Sequence, residues 1–214
     1  MATTSSAAKP AASSASTVEP KFNGSANPSS QQNAKAVFAG GCFWCVEAVF
    51  EELEGVIDVT SGYSGGAADT ANYKAVCTVT TGHAEAVQIT YDPSKISYEM
   101  LLKVHFAMHD PTTLNQQGND YGPQYRSAIF YSTQEEKENA QAFIDDLNDA
   151  HAYSKPIVTT LEPLKAFYPA ETYHQNYVCN NPNQGYVRSA ALPKVAKVRE
   201  KFKDNLKAKS PLTK

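Results

Sequence analysis

Runs rich in β-branched residues interleaved with amphipathic helices predict a layered fold of the α/β or α+β class for this 214-residue chain. Three observations carry that prediction. Ala36 to Ala48 reads as a strand, a Gly40-Gly41 turn and a helix that starts at Cys42. Ala84 to Tyr91 alternates as a half-buried strand does, with Glu85, Val87, Ile89 and Tyr91 on one face. Ser97 and Thr133 each stand as an N-cap before a helical pattern, the second in a capping box with Glu136.

The remaining elements follow in chain order. Val46, Val49, Phe50 and Leu53 fall at helical spacing, so the first helix is expected over Phe43 to Glu54 with Gly55 closing it. A strand over Val56 to Ser61 leads into a Gly62–Gly66 loop. Ala75 to Thr80 and Ala84 to Tyr91 read as a hairpin around Thr81-Gly82-His83, and Asp92-Pro93 breaks the second arm. The Ser97 helix runs to Met108, before Pro111. Asp110 to Gln124 fits neither helix nor strand, and a loop this long inside a compact domain is usually functional. Ser127 to Tyr131 is a strand, the Thr133 helix turns Ala140, Phe143, Ile144 and Leu147 inward, and Ile157 to Leu161 is another strand. Glu171 to Val178 is expected as a short helix, Asn180 to Gly185 as coil. Pro193 opens a last helix with Val195, Val198, Phe202 and Leu206 on one face and a solvated basic side.

Composition bounds the function. A formal net charge of -3 gives no general reason to bind nucleic acid or an anionic membrane. No apolar run approaches the ~20 residues of a membrane span. Residues 1–34, made largely of Ala, Ser, Thr, Pro and Asn, cannot offset their ordering entropy and read as a disordered tail before a single domain at 35–208. The tail lacks the apolar stretch of a secretory signal and the arginines of a transit peptide, which leaves the cytoplasm as the expected location without excluding import or export. Four cysteines, at 42, 45, 77 and 179, are too few and too uneven for a disulfide scaffold.

Cys42 carries the chemistry. A helix start aims unpaired amides and the positive end of the macrodipole at the residue there, which favours thiolate over thiol. Cys45 lies one turn on, close enough to attack an oxidised Cys42. Cys77 reads as a buried strand filler and Cys179 as a mobile thiol beside a coil. Glu85 leaves two readings open. On a buried Val/Ile face its pKa would rise and keep a proton available for general acid catalysis; beside the His83 turn it would simply reach water. Tyr73, Tyr125 and Asp120 are polar groups able to hold an oxygen, whereas His109, His151 and His174 show no metal-ligand spacing.

Taken as an ordered set, several segments resemble the peptide-methionine (S)-S-oxide reductases, the methionine sulfoxide reductase A family. They are Gly40-Gly41-Cys42-Phe43-Trp44, Ser61-Gly62-Tyr63, Thr81 to Val87, Tyr91-Asp92-Pro93, His109 to Thr112, Gln117 to Asp120, Gln124 to Ser127 and Tyr173-His174-Gln175. The resemblance spans about residues 35–188. It implies a two-layer α/β sandwich with a mixed sheet and much coil, and reduction of the S epimer of methionine sulfoxide, free or in proteins. It implies Cys42 as nucleophile, Glu85 as acid, Phe43 and Trp44 as the pocket for the substrate methyl group, and Tyr73, Asp120 and Tyr125 around the sulfoxide oxygen. It further implies no cofactor or metal, thioredoxin or another thiol as external reductant, and a monomer is the default.

The recycling half departs from the family pattern. Many relatives carry a resolving cysteine after a Gly-Tyr near the C-terminus, and here Gly185-Tyr186 is followed by Val187. Cys45 is then the favoured resolving thiol, since one helical turn needs little loop closure, and Cys179 is the alternative. Two rival readings remain at this stage. One is a thioredoxin-like CxxC disulfide oxidoreductase; the other is a zinc module built from Cys42, Cys45 and two of Cys77, His83 and Cys179.

Overall fold

A computed structural model describes residues 33–212, so the expected tail at 1–34 lies outside the described residues but for its last two positions. The second of these, Ala34, already begins β1 (Ala34–Gly40). Around it forms a six-stranded mixed sheet of β2 (Val56–Ser64), β3 (Ala84–Tyr91), β6 (Ser127–Tyr131), β7 (Thr160–Pro163) and β8 (Phe167–Pro169). The strand order is β7-β6-β1-β3-β2-β8, with β6 and β7 parallel and every other pair antiparallel. A separate two-residue hairpin, β4 (Gln116–Gln117) with β5 (Asp120–Tyr121), lies within the long polar loop.

The two faces of the sheet differ because side chains alternate along each strand. Phe38, Val87, Ile89 and Ile129 face the main core. There they meet α1 (Phe43–Phe50), α3 (Tyr98–Met108) and α6 (Leu192–Lys201) through Val46, Val49, Leu101, Val104, Val195 and Val198. The opposite face carries Val37, Ala39, Ala84, Ala86, Ala128 and Phe130, covered by Leu164 and Phe167. Small residues dominate there, so chain rather than a helix layer closes that side.

Caps define the helices where the sequence places them. Ser97 Oγ accepts the Met100 amide at 3.1 Å. Thr133 Oγ1 accepts the Glu136 amide at 3.1 Å, opening α4 (Gln134–Asp149). The Glu136 carboxylate returns one residue further out than a standard capping box, to the Ser132 amide at 2.6 Å.

Several expectations need correction. Helix α1 ends at Phe50 rather than Glu54, because the next residues turn to meet the C-terminal segment: Leu53 bridges Leu206, and the Glu54 amide donates to Asn205 O at 2.8 Å. Strand β2 continues through Gly62-Tyr63-Ser64, which pair with β8 instead of forming a loop. Gly62 permits that pairing, since a Cβ there would sit 2.4 Å from the Phe167 ring and from Tyr168 O. Ala75 to Thr80 is no strand. Asn72 caps the four-residue α2 (Tyr73–Val76) by accepting the Ala75 amide at 3.0 Å, and local capping overrides the β-propensity of Val76, Thr78 and Thr80. The Ile157 strand begins only at Thr160. The Glu171 to Val178 helix splits into a 3-10 turn (Thr172–His174) and α5 (Tyr177–Asn180), because Asn176 between them is left-handed at φ 53.

Candidate active site

Cys42 is the N-cap of α1, its carbonyl accepting the amides of Cys45 at 3.1 Å and Val46 at 3.4 Å. Gly41 brings it there at φ +93, and a Cβ on Gly41 would lie 2.6 Å from Gln117. Gln117 belongs to the polar loop and closes it by bonding both ways to the Asp110 backbone, at 3.2 and 3.0 Å. The absence of a side chain at Gly41 thus lets an ordered loop pack beneath the cysteine turn. That loop carries Asp120 and Tyr125 to the site.

Cys42, Phe43, Trp44, Tyr73, Glu85, Asp120, Tyr125, Gln184 and Tyr186 line one cavity of about 240 Å³. Cys42 is 7% exposed, at the cavity wall rather than sealed from it. Every residue named from the sequence as nucleophile, acid, methyl pocket or oxygen partner is in that lining. Cys179 is not: it sits half-buried on α5, and its Sγ donates to Pro211 O at 3.3 Å, held rather than mobile. Cys77 is exposed at the end of α2, not buried in a strand.

Glu85 extends from β3 on the buried side, 2% exposed, so the first of its two readings describes the structure. Its Oε2 accepts the Phe43 amide at 3.1 Å. Burial raises its pKa to about 8, against the lowering effect of that amide, so the carboxyl holds its proton at neutral pH. Tyr73 and Tyr125 are pushed up mainly by burial and stay protonated donors.

The expectation of an ionised Cys42 needs correction. Burial, then a hydrogen bond with Cys45, then the Glu85 charge all raise its pKa well above the ordinary thiol range. The first free amide of α1, which a thiolate would use, goes to Glu85 instead. Cys45 takes the opposite shift, to about 7, chiefly through the hydrogen bond from Cys42. The resting pair is thus a Cys42 thiol beside a Cys45 that ionises near neutrality.

Behind the pocket lies an aromatic cluster that the sequence did not disclose. Trp44 stacks on Tyr177 at 3.7 Å and 6°, and its Nε1 donates to His174 Nδ1 at 3.0 Å. The His174 ring also packs on Phe43 at 5.0 Å and Tyr73 at 4.6 Å. Glu171 ties down the same corner, accepting the Tyr63 hydroxyl and the Tyr73 amide, each at 2.9 Å. Tyr186 and Gln184 were missed as well. The only sequence signal was an aromatic residue in a Pro/Asn/Gly coil, which is weak without the partners it meets.

A family model described as peptide methionine sulfoxide reductase matches residues 34–206. The chain belongs to that family. It is a peptide-methionine (S)-S-oxide reductase, an oxidoreductase, and the rival readings give way to this one. A peptide methionine sulfoxide reductase MsrA of Deinococcus radiodurans is 53% identical over 173 residues, covering 81% of this chain and 84% of the relative. MsrA 1 of Rhodopirellula baltica is 56% identical over 172 residues, covering 80% and 88%. Among solved structures, reduced Mxr1 from Saccharomyces cerevisiae superposes with a TM-score of 0.66 at 32% identity, covering 71% of this chain and 87% of that one. Methionine sulfoxide reductase A of Corynebacterium diphtheriae gives 0.63 at 32% identity, covering 71% and 76%. Among the described residues of this reductase no group of three His, Cys, Asp or Glu side chains could hold a metal ion, so the zinc arrangement has no ligand set there.

Proposed function

We propose that this reductase repairs oxidised methionine, free or in proteins, by attack of Cys42 on the sulfur of the S-epimer sulfoxide with Glu85 as proton donor. The observation that supports the reading is that buried Glu85 and Cys42 line one small cavity, with the Phe43 amide bonded to the Glu85 carboxyl whose pKa burial raises. A sulfoxide oxygen is a poor leaving group until it is protonated, and Glu85 can supply that proton while the Tyr73 and Tyr125 hydroxyls donate to the same oxygen. Phe43 and Trp44 supply an apolar wall for the methyl group.

The Cys42 thiol is hydrogen-bonded to Cys45, which takes its proton as the Cys42 sulfur bonds to the substrate sulfur, bond formation driving a transfer that the resting pair disfavours. The oxygen, carrying the proton from Glu85, then passes to the Cys42 sulfur: the substrate S–O bond and the transient bond between the two sulfurs break, a Cys42 S–O bond forms to give a sulfenic acid, and methionine leaves two electrons richer. Cys45 then condenses with the sulfenic acid to a disulfide and water. A dithiol such as thioredoxin reopens it. Such a cycle needs no prosthetic group. No helix among the described residues is long and apolar enough to cross a membrane.

Replacing Cys42 tests this directly. Cys42→Ser is expected to abolish methionine sulfoxide reduction with dithiothreitol as reductant, and retained turnover would remove Cys42 as nucleophile.

A further inference from the structure

The Cys45 thiol is 0% exposed, so no proton can pass from it straight to bulk water. Besides the hydrogen bond with Cys42, which is lost once that sulfur is oxidised, its sulfur reaches one further partner. Cys45 Sγ donates to the Tyr186 hydroxyl at 3.8 Å, and that hydroxyl donates to Asp120 Oδ2 at 2.6 Å. The three groups come from α1, from the turn just before the π-helical segment Val187–Ala191, and from β5, so distant parts of the chain converge on one line. Tyr186 is held in place by Trp44, whose ring meets it edge-on at 6.0 Å and 75°. Asp120 and Tyr186 both line the cavity that holds Cys42.

We propose that Tyr186 and Asp120 form a proton relay that activates Cys45 for disulfide formation with oxidised Cys42. The inference rests on Cys45 as the resolving thiol. After the first step Cys45 carries the proton taken from Cys42 and has lost the Cys42 hydrogen bond that chiefly lowered its pKa, so burial leaves it a thiol and a poor nucleophile. Its proton moves to the Tyr186 oxygen while the Tyr186 proton moves to Asp120. The Cys45 sulfur then attacks the Cys42 sulfur, a sulfur–sulfur bond forms, and the Cys42 S–O bond breaks. The departing hydroxyl takes the proton back from Asp120 and leaves as water. Cys45 is oxidised and the Cys42 sulfur is reduced, so no outside oxidant or reductant enters. Lys194 also favours the Cys45 thiolate, and the Asp120 charge opposes it, which suits a carboxylate that is neutralised as the proton arrives.

The role also gives Asp120 different work. Its Oδ2 is committed to Tyr186, so it serves the sulfur end of the site as well as the sulfoxide oxygen.

The test is one turnover of pre-reduced full-length protein with one equivalent of methionine sulfoxide and no added reductant, following methionine release and free-thiol loss together. In Tyr186→Phe the rate of thiol loss relative to methionine release should fall at least about ten-fold, and sulfenic acid on Cys42 should accumulate for capture by a cyclic 1,3-dione. Thiol loss in the wild type should show a solvent deuterium isotope effect that shrinks in Tyr186→Phe; a merely structural defect would slow the step and leave that effect unchanged. Asp120→Asn should lower the same ratio. An unchanged ratio in Tyr186→Phe overturns the relay. Cys45→Ser separates this from the reading beneath it: if that variant still forms an intramolecular disulfide, Cys45 is not the resolving thiol.

Discussion

Glu85 Oε2 accepts the backbone amide of Phe43 at 3.1 Å, so the acid is held by the first turn of the very helix that Cys42 opens. That bond fixes the carboxyl beside the nucleophile while burial keeps its pKa at about 8. Below pH 8 the group is a protonated donor; above it the proton is lost. Single-turnover methionine formation should therefore fall as pH rises through about 8. Glu85→Gln should be slower by about 100-fold, the scale of a lost general acid, and should lack that alkaline limb. A rapid-quench pH profile of both proteins checks this.

Trp44 is the only tryptophan in the chain, and His174 accepts its indole N–H at 3.0 Å. His174→Ala removes that acceptor and the ring packed on Phe43 and Tyr73. Loss of one buried hydrogen bond costs about 1–3 kcal/mol, so KM for the sulfoxide should rise by about ten-fold with a smaller change in kcat. The emission of the single tryptophan should shift to longer wavelength as its surroundings loosen. Unaltered KM and emission would show that the pocket does not depend on His174.

Val79 sits at φ 61, a left-handed backbone that a β-branched residue adopts only at a cost of roughly 1–2 kcal/mol. Its side chain is 48% exposed, so little packing offsets that strain. Val79→Gly should raise stability by about 1 kcal/mol, after the entropy cost of glycine, as read from the denaturant midpoint.

Buried acids set the response of stability to pH. Burial raises both Glu47 and Glu85 to about 8, so the folded chain keeps protons that the unfolded chain releases above about 4.5. Their contribution to stability is greatest below that lower value and declines until the folded carboxyls ionise near 8. Glu47→Gln keeps an acceptor for the Asn176 amide that Glu47 now binds at 3.0 Å. It should flatten the decline between pH 5 and 8. Denaturation at several pH values measures the slope.

How much of this was readable before folding depends on the range of the interaction. Cys42 was visible because a local strand, turn and helix set it, whereas alternation along β3 left Glu85 between two readings and the resemblance to the reductase family pointed to the acid. Ala75 to Thr80 misled because β-branched residues hide an Asn72 cap that acts through a single side chain. The Cys42 ionisation was misjudged for a related reason, since the amide expected to favour the thiolate is taken by an acid 42 positions away. Tyr186 and His174 gain their roles from partners 141 and 130 residues distant, at Cys45 and Trp44, and no local pattern encodes such pairings.

The central claim is that the sulfur of Cys42 receives the oxygen. Cys45→Ser, reduced and given one equivalent of S-methionine sulfoxide without reductant, lacks the resolving thiol and so keeps the oxidised sulfur, although oxygen transfer is slowed by loss of the proton acceptor. Peptide mass spectrometry after capture with a cyclic 1,3-dione should place the adduct on Cys42, in an amount matching the methionine formed. Methionine released with Cys42 still a free thiol would contradict the account.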